Sequence, residues 1–192
     1  MIVRHFRLDV PNLEPNAYLV GCEHTGQALM VDAGVFSEEM DEFLRGNGMK
    51  LRTIFITHHH WDHTDGLKEA IERFQPERVL SFLGNVGGCA TERIAHGGKF
   101  QVGAIPCHAV HTPGHTDDGM SLILPGVVFS GDALFCGSVG GTSNPVDAQR
   151  QIEAIRAHLF SLPDDYEVFS GHGPVTTIGI ERAANPFLSG GA

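Results

Sequence analysis

Thr57-His58-His59-His60-Trp61-Asp62-His63-Thr64-Asp65-Gly66 follows directly on the apolar run Leu51-Arg52-Thr53-Ile54-Phe55-Ile56. That run is short, β-branched and aromatic, which predicts a buried strand delivering the histidines at its C-terminal end. Beyond the histidines, Leu67, Ala70, Ile71 and Phe74 recur at i, i+3, i+4 and i+7, and Glu69 precedes Arg73 by four residues. This spacing predicts an amphipathic helix with Thr64 or Asp65 as its N-cap. The cluster therefore falls on a strand-to-helix loop, where a rigid scaffold presents chemistry. In extended backbone His58 and His60 project to one side and can chelate one ion, while His59 and Trp61 project elsewhere. Asp62 and His63 come where the chain turns into the helix, within reach of a second ion.

Upstream, Ile2 to Val10, Ala17 to Cys22 and Gln27 to Val31 read as three strands, broken by Pro11 to Asn16 and by the turn His24-Thr25-Gly26. Asp32 at the tip of the third fits both a turn residue and a carboxylate that supports a ligand. Ser37 then caps a helix through Leu44. Downstream, Arg78 to Phe82 reads as a strand, Asn85 to His96 as a helix, and Phe100 to Val110 as two strands divided at Gly103 or Pro106. Met120 to Leu124 and Val127 to Ser130 form a hairpin across Pro125-Gly126. Asn144-Pro145 opens a helix that buries Ile152, Ile155 and Leu159, and Tyr166 to Ser170 is the last strand. The two halves share an order of strands first, then helices alternating with strands, which predicts a pseudo-duplicated α/β architecture.

The chain of 192 residues suits one domain, residues 1–192, able to bury a core without disulfides. Formal net charge is −10 with only Lys50, Lys68 and Lys99 as lysines, a balance that disfavours nucleic acid and anionic membranes. Cys22, Cys89, Cys107 and Cys136 are widely spaced, so neither a zinc knuckle nor a disulfide framework is expected. Met1 to Arg7 lacks the apolar core of a signal peptide, and no stretch approaches the ~20 apolar residues of a membrane span. A soluble cytoplasmic protein, monomer or homodimer, is the expectation.

Separate turns carry further donors: His115 in His111-Thr112-Pro113-Gly114-His115-Thr116, Asp132 after Gly131, and His172 between Gly171 and Gly173. Singly, each also fits a turn residue. Jointly they supply His58, His60 and His115 for one ion, and Asp62, His63 and His172 for a second, with Asp132 placed to bridge. Two nitrogen and oxygen sites with open positions suit divalent zinc first, with iron or manganese as alternatives. His59 and His111 are left to supporting, core or surface roles.

The pattern H-x-H-x-D-H followed by a lone His, a lone Asp and a lone His resembles the metallo-β-lactamase fold superfamily. Thr57 to Gly66, His111 to Thr116, Phe129 to Phe135, Gly171-His172-Gly173-Pro174 and Asn185-Pro186-Phe187-Leu188 resemble its single-domain glyoxalase II branch. The resemblance implies a four-layer αβ/βα sandwich, two packed mixed sheets flanked by helices, with the site at one sheet edge. It also implies a metal-dependent hydrolase that cleaves a small thioester, such as S-D-lactoylglutathione, with a metal-bridging hydroxide. The seven ligands carried over are those already named; Asp132 holds both ions, and Asp62 also orients the nucleophile. Cys136 reads as a packed thiol. Gly141 stands where these relatives carry arginine, and Asp117-Asp118-Gly119 replaces a proline-glycine pair. With the chain ending at Ala192, the helical domain that grips glutathione in longer relatives is expected to be absent. A persulfide dioxygenase, with one iron on two histidines and an aspartate, is the alternative within the fold. A superfamily nuclease is disfavoured by the acidic charge. A purely binding module would close its coordination, which this donor set leaves open.

Overall fold

In a computed structural model, which describes residues 1–7 and 14–188, the run before the histidines is a strand between two others. The first sheet contains β1 (Ile2–Arg7), β2 (Asn16–Cys22), β3 (Gln27–Val31), β4 (Lys50–Phe55), β5 (Arg78–Ser81) and β6 (Glu92–Arg93), in that spatial order. The first three strands pair antiparallel, and from β3 onward the pairing is parallel. Parallel neighbours need a crossover, supplied here by α1 (Glu38–Gly46) and α2 (Leu67–Phe74). The second sheet is built from β7 (Lys99–Val102), β8 (Ile105–His111), β9 (Met120–Leu124), β10 (Val127–Gly131), β11 (Glu167–Ser170) and β12 (Thr176–Thr177). Its spatial order is β12-β11-β10-β9-β8-β7, mixed again, with only β10 and β11 parallel. The helix α3 (Pro145–Ala154) lies between those two in the chain, and α4 (Ile178–Ala184) follows β12.

Alternation along the strands sets the layers. On β2, Tyr18, Val20 and Cys22 enter the core shared with Met120, Leu122 and Phe129 of the second sheet. Ala17 and Leu19 point the other way, into a cluster with Met40 and Leu44 of α1 and Leu67 and Ala70 of α2. A third cluster packs Val110, Val128 and Val168 against Ile155, Leu159 and Ile178. The sheets thus face each other with helices outside, an αβ/βα sandwich, and β2 is buried throughout because both its faces are covered. Phe55 and Phe129 lie fully buried in the middle layer. Truncating either to alanine would cost about 3–5 kcal/mol.

Several expectations are corrected. The helix after the histidines starts from Gly66, because Thr64 belongs to a separate turn, Trp61–Thr64, and its hydroxyl donates to the His60 carbonyl at 3.0 Å. Asn85 to His96 is no helix: Asn85–Val86 and Cys89–Ala90 form a hairpin, followed by β6. Gly87 and Gly88 sit at φ of 57° and 76°, a left-handed pair that closes a hairpin turn and breaks a helix. Beyond Arg7 the expected first strand, and with it Pro11 to Leu13, lies outside the described residues. Asn144 does cap α3, its Oδ1 accepting from the backbone of Val146 and Asp147 at 2.9 and 3.0 Å with Pro145 in the first turn. The helix then widens into a π turn, Ile155–Leu159. No helix among the described residues is long and apolar enough to cross a membrane.

Candidate metal centre

The donors arrive from one edge of the sandwich. His58, His60, Asp62 and His63 follow β4, His115 follows β8, Asp132 follows β10 and His172 follows β11. Their donor atoms form three groups that could each hold an ion: His58/His60/His115, His58/His63/Asp132 and Asp62/His63/His172. The structure therefore brings all seven sequence-predicted residues together. Within the first group, His60 Nδ1 faces His58 Nε2 at 3.1 Å and His115 Nε2 at 3.0 Å. In the third, His172 Nε2 stands 3.2 Å from Asp62 Oδ2 and 3.4 Å from His63 Nε2. Asp132 lies between: Oδ2 is 3.4 Å from His115 Nε2 and 3.6 Å from His172 Nε2, and Oδ1 is 3.4 Å from His63 Nε2.

The electrostatics fit divalent cations. Burial, then the neighbouring imidazoles of His63, His60 and His115, hold His58 well below its ordinary range, so its lone pair stays available. Burial, then His115 and His59, lower His60 too. Burial alone would depress His63, but the carboxylates of Asp32, Asp132 and Asp62 outweigh it and raise the ring to about 9. Burial raises Asp62, but hydrogen bonding from His172 and the charge of His63 outweigh it and hold the carboxyl below its usual value. Asp132 Oδ1 is buried without any hydrogen-bond partner. A buried carboxylate oxygen left unpaired among converging ring nitrogens is costly unless a cation satisfies both.

Residues 10–81 match the profile of the metallo-beta-lactamase superfamily. A hydroxyacylglutathione hydrolase-like protein of Mus musculus is 37% identical over 85% of this chain and 59% of its own length. The hydroxyacylglutathione hydrolase of Chromohalobacter salexigens is 30% identical over 93% of this chain and 71% of its own. The crystal structure of ETHE1 from Myxococcus xanthus superposes with a TM-score of 0.84 at 33% identity, covering 100% of this chain and 86% of that one. The chain belongs to the metallo-beta-lactamase superfamily. It spans under three fifths of the first curated relatives it matches, 59% of the mouse protein and 58% of its human counterpart.

In metal sites generally, the partners behind the donors orient them. Asp32 resolves as a supporting carboxylate: Oδ2 accepts from His63 Nδ1 at 2.9 Å and from the Thr57 hydroxyl at 2.8 Å, and Oδ1 accepts the Thr57 N–H at 2.8 Å. This leaves His63 Nε2 facing the centre. Asp32 also sits at φ 58°, a left-handed conformation that aspartate tolerates better than most residues. His115 Nδ1 donates to the Gly141 carbonyl at 2.6 Å, which turns its Nε2 inward in the same way. The His172 turn is fastened to the other sheet, where Asn16 Nδ2 donates to the carbonyls of Ser170 and Gly173 at 3.0 and 2.9 Å. Gly171 is obligatory there, since a Cβ would collide with Asp132 Oδ1 and stand 2.7 Å from His63 Cε1.

His59 is outside the centre, paired through Nδ1 with the buried Asp118 at 2.7 Å. Asp117 is likewise engaged, accepting from Arg150 at 2.9 Å. Cys136, expected to be packed, is exposed at a hairpin turn. Two contributors escaped the sequence reading. Asn16 had only a turn signal, and the Gly141 carbonyl is backbone, which no residue type announces.

Proposed function

We propose that the chain is a metal-dependent hydrolase cleaving a small thioester, with His58, His60 and His115 holding one divalent ion, Asp62, His63 and His172 a second, and Asp132 shared between them. The observation that carries this reading is the convergence of two complete donor groups on Asp132, whose Oδ1 has no protein partner. Zinc is the first candidate and iron or manganese fit the same donors. Ions bound there would lower the pKa of a water to make it nucleophilic near neutrality and would polarise the substrate carbonyl.

The protein's own groups then have limited tasks. Asp62, ionised well below neutrality, holds its carboxylate toward His172 and can orient the attacking water. His63 and His115 are each fixed by a partner on Nδ1, so neither needs to move as the substrate reacts. A thiol with pKa near 8.5 leaves readily as thiolate, so the reaction needs no strong general acid, unlike amide cleavage.

Hydrolase names among the relatives support the reading, and the ETHE1 likeness also fits the dioxygenase alternative. Oxygen separates them. We expect S-D-lactoylglutathione or a related small thioester to release thiol, read with a colour reagent, at the same rate with and without oxygen. Oxygen uptake on glutathione persulfide with no thiol released from any thioester would overturn the assignment.

Recognition of an anionic thiol carrier is expected to be weak. Arg150, close to the His115 loop, is drawn off by Asp117 and Asp147 at 2.9 and 3.2 Å. Gly141 offers no side chain, yet a Cβ there would meet nothing within 4 Å. Gly141→Arg therefore has room to supply a cation. It is expected to lower the KM for glutathione thioesters several-fold, about the effect of one solvent-exposed ion pair, with no change for uncharged thioesters. An equal change for both would show that charge is not what the substitution adds.

A further inference from the structure

The loop after Asp132 forms one wall of the centre, and the outer helices hold it. It runs through the hairpin Leu134–Phe135 and Ser138–Val139 to Gly140 and Gly141. Its far end touches the donors. A Cβ on Gly140 would collide with the Asp132 carbonyl and stand 3.2 Å from His115 Cβ, and the Gly141 carbonyl takes the His115 Nδ1 hydrogen bond. From α3, the buried Gln151 donates through Nε2 to the carbonyls of Ala133 and Gly140, both at 3.0 Å.

The hairpin turn is gripped by Glu181 of α4. The Gly137 N–H donates to Glu181 Oε2 at 2.9 Å, and Asn185 Nδ2 donates to that oxygen at 2.7 Å and to the Ser138 carbonyl at 3.0 Å. The Thr176 hydroxyl donates to the other oxygen, Oε1, at 2.7 Å. Glu181 is 1% exposed, so these neutral donors are what offset its burial. Its own helix also supplies Ile178 to the apolar cluster that includes Leu188. An apolar residue would fill such a place at lower cost, so the carboxylate needs a specific task, and its hydrogen bonds point to one.

We propose that Glu181 is a positioning residue: through Gly137 and Ser138 it fixes the hairpin whose continuation presents the Gly141 carbonyl to His115, and so sets the ring orientation with which His115 binds its ion. The inference rests on the proposed role of His115 as a metal donor.

The test is calorimetric titration of zinc into chelator-stripped protein, wild type against Glu181→Ala, Glu181→Gln and Asn185→Ala. Glu181→Ala should weaken one of two binding events about tenfold, the lower range for partners behind a donor, and leave the other unchanged. Excess zinc should restore its turnover. Glu181→Gln should bind as wild type, because its amide oxygen can face Gly137 and Asn185 while its NH2 meets the Thr176 hydroxyl. Asn185→Ala, which loses the tie to Ser138, should weaken the same event and stands in if Glu181→Ala does not fold. Unchanged titrations with only a lowered Tm, or equal weakening of both events, would overturn the inference. Wild-type protein that binds no zinc, iron or manganese would instead overturn the functional reading on which it rests.

Discussion

Asp132→Ala is expected to reduce thioester hydrolysis on the order of a thousandfold, while bound metal falls from two ions per chain toward one. The size follows from its place. Its carboxylate lies within 3.4–3.9 Å of ring nitrogens of His58, His63, His115 and His172, a position from which it can couple the two donor groups. The fold should survive, because the side chain makes no hydrogen bond through Oδ1 and its removal leaves no protein donor stranded there. Circular dichroism and elemental analysis on the same preparation check both halves. Wild-type activity in the variant would refute the shared-ligand role.

Asp32→Asn is expected to cost about 10–100-fold in activity, through His63 rather than through the fold. Asparagine tolerates the left-handed backbone at φ 58° and can still accept the Thr57 N–H through its oxygen. Its NH2 group then faces His63 Nδ1, where the carboxylate accepted a hydrogen bond. The ring is driven to carry its proton on Nε2, the nitrogen that faces the centre, and the Asp62/His63/His172 group loses a donor. Asp32→Ala should lose the same metal and also stability, since Thr57 is left with a buried N–H unpaired and alanine disfavours this backbone conformation. Loss of Tm without loss of metal in Asp32→Asn would show that Asp32 serves the fold alone.

Much of this arrangement is legible in the sequence because the chemistry is carried by scarce residue types at sharp boundaries. His58 to His63 sit where an apolar run stops, and Asp132 and His172 each follow a glycine at a strand end, so strand prediction and donor prediction reinforce each other. Legibility fails where local pattern and tertiary demand diverge. Asn85 to His96 carries apolar residues at helical intervals, but two glycines in left-handed conformation make the hairpin. Asp32 could be placed at a strand tip but not given a partner, because that partner, His63, comes from a different loop. Glu181 gave no signal at all, as an acidic residue in a short helix ordinarily faces solvent and this one is buried against a hairpin distant in the chain.

The proposed centre takes two ions on seven side chains. Elemental analysis of protein purified without chelator, with metal and protein measured on the same sample, tests it most directly. Close to two transition-metal ions per chain are expected, falling toward one in Asp132→Ala. A stoichiometry fixed at one, unchanged after incubation with zinc, iron or manganese, would contradict it.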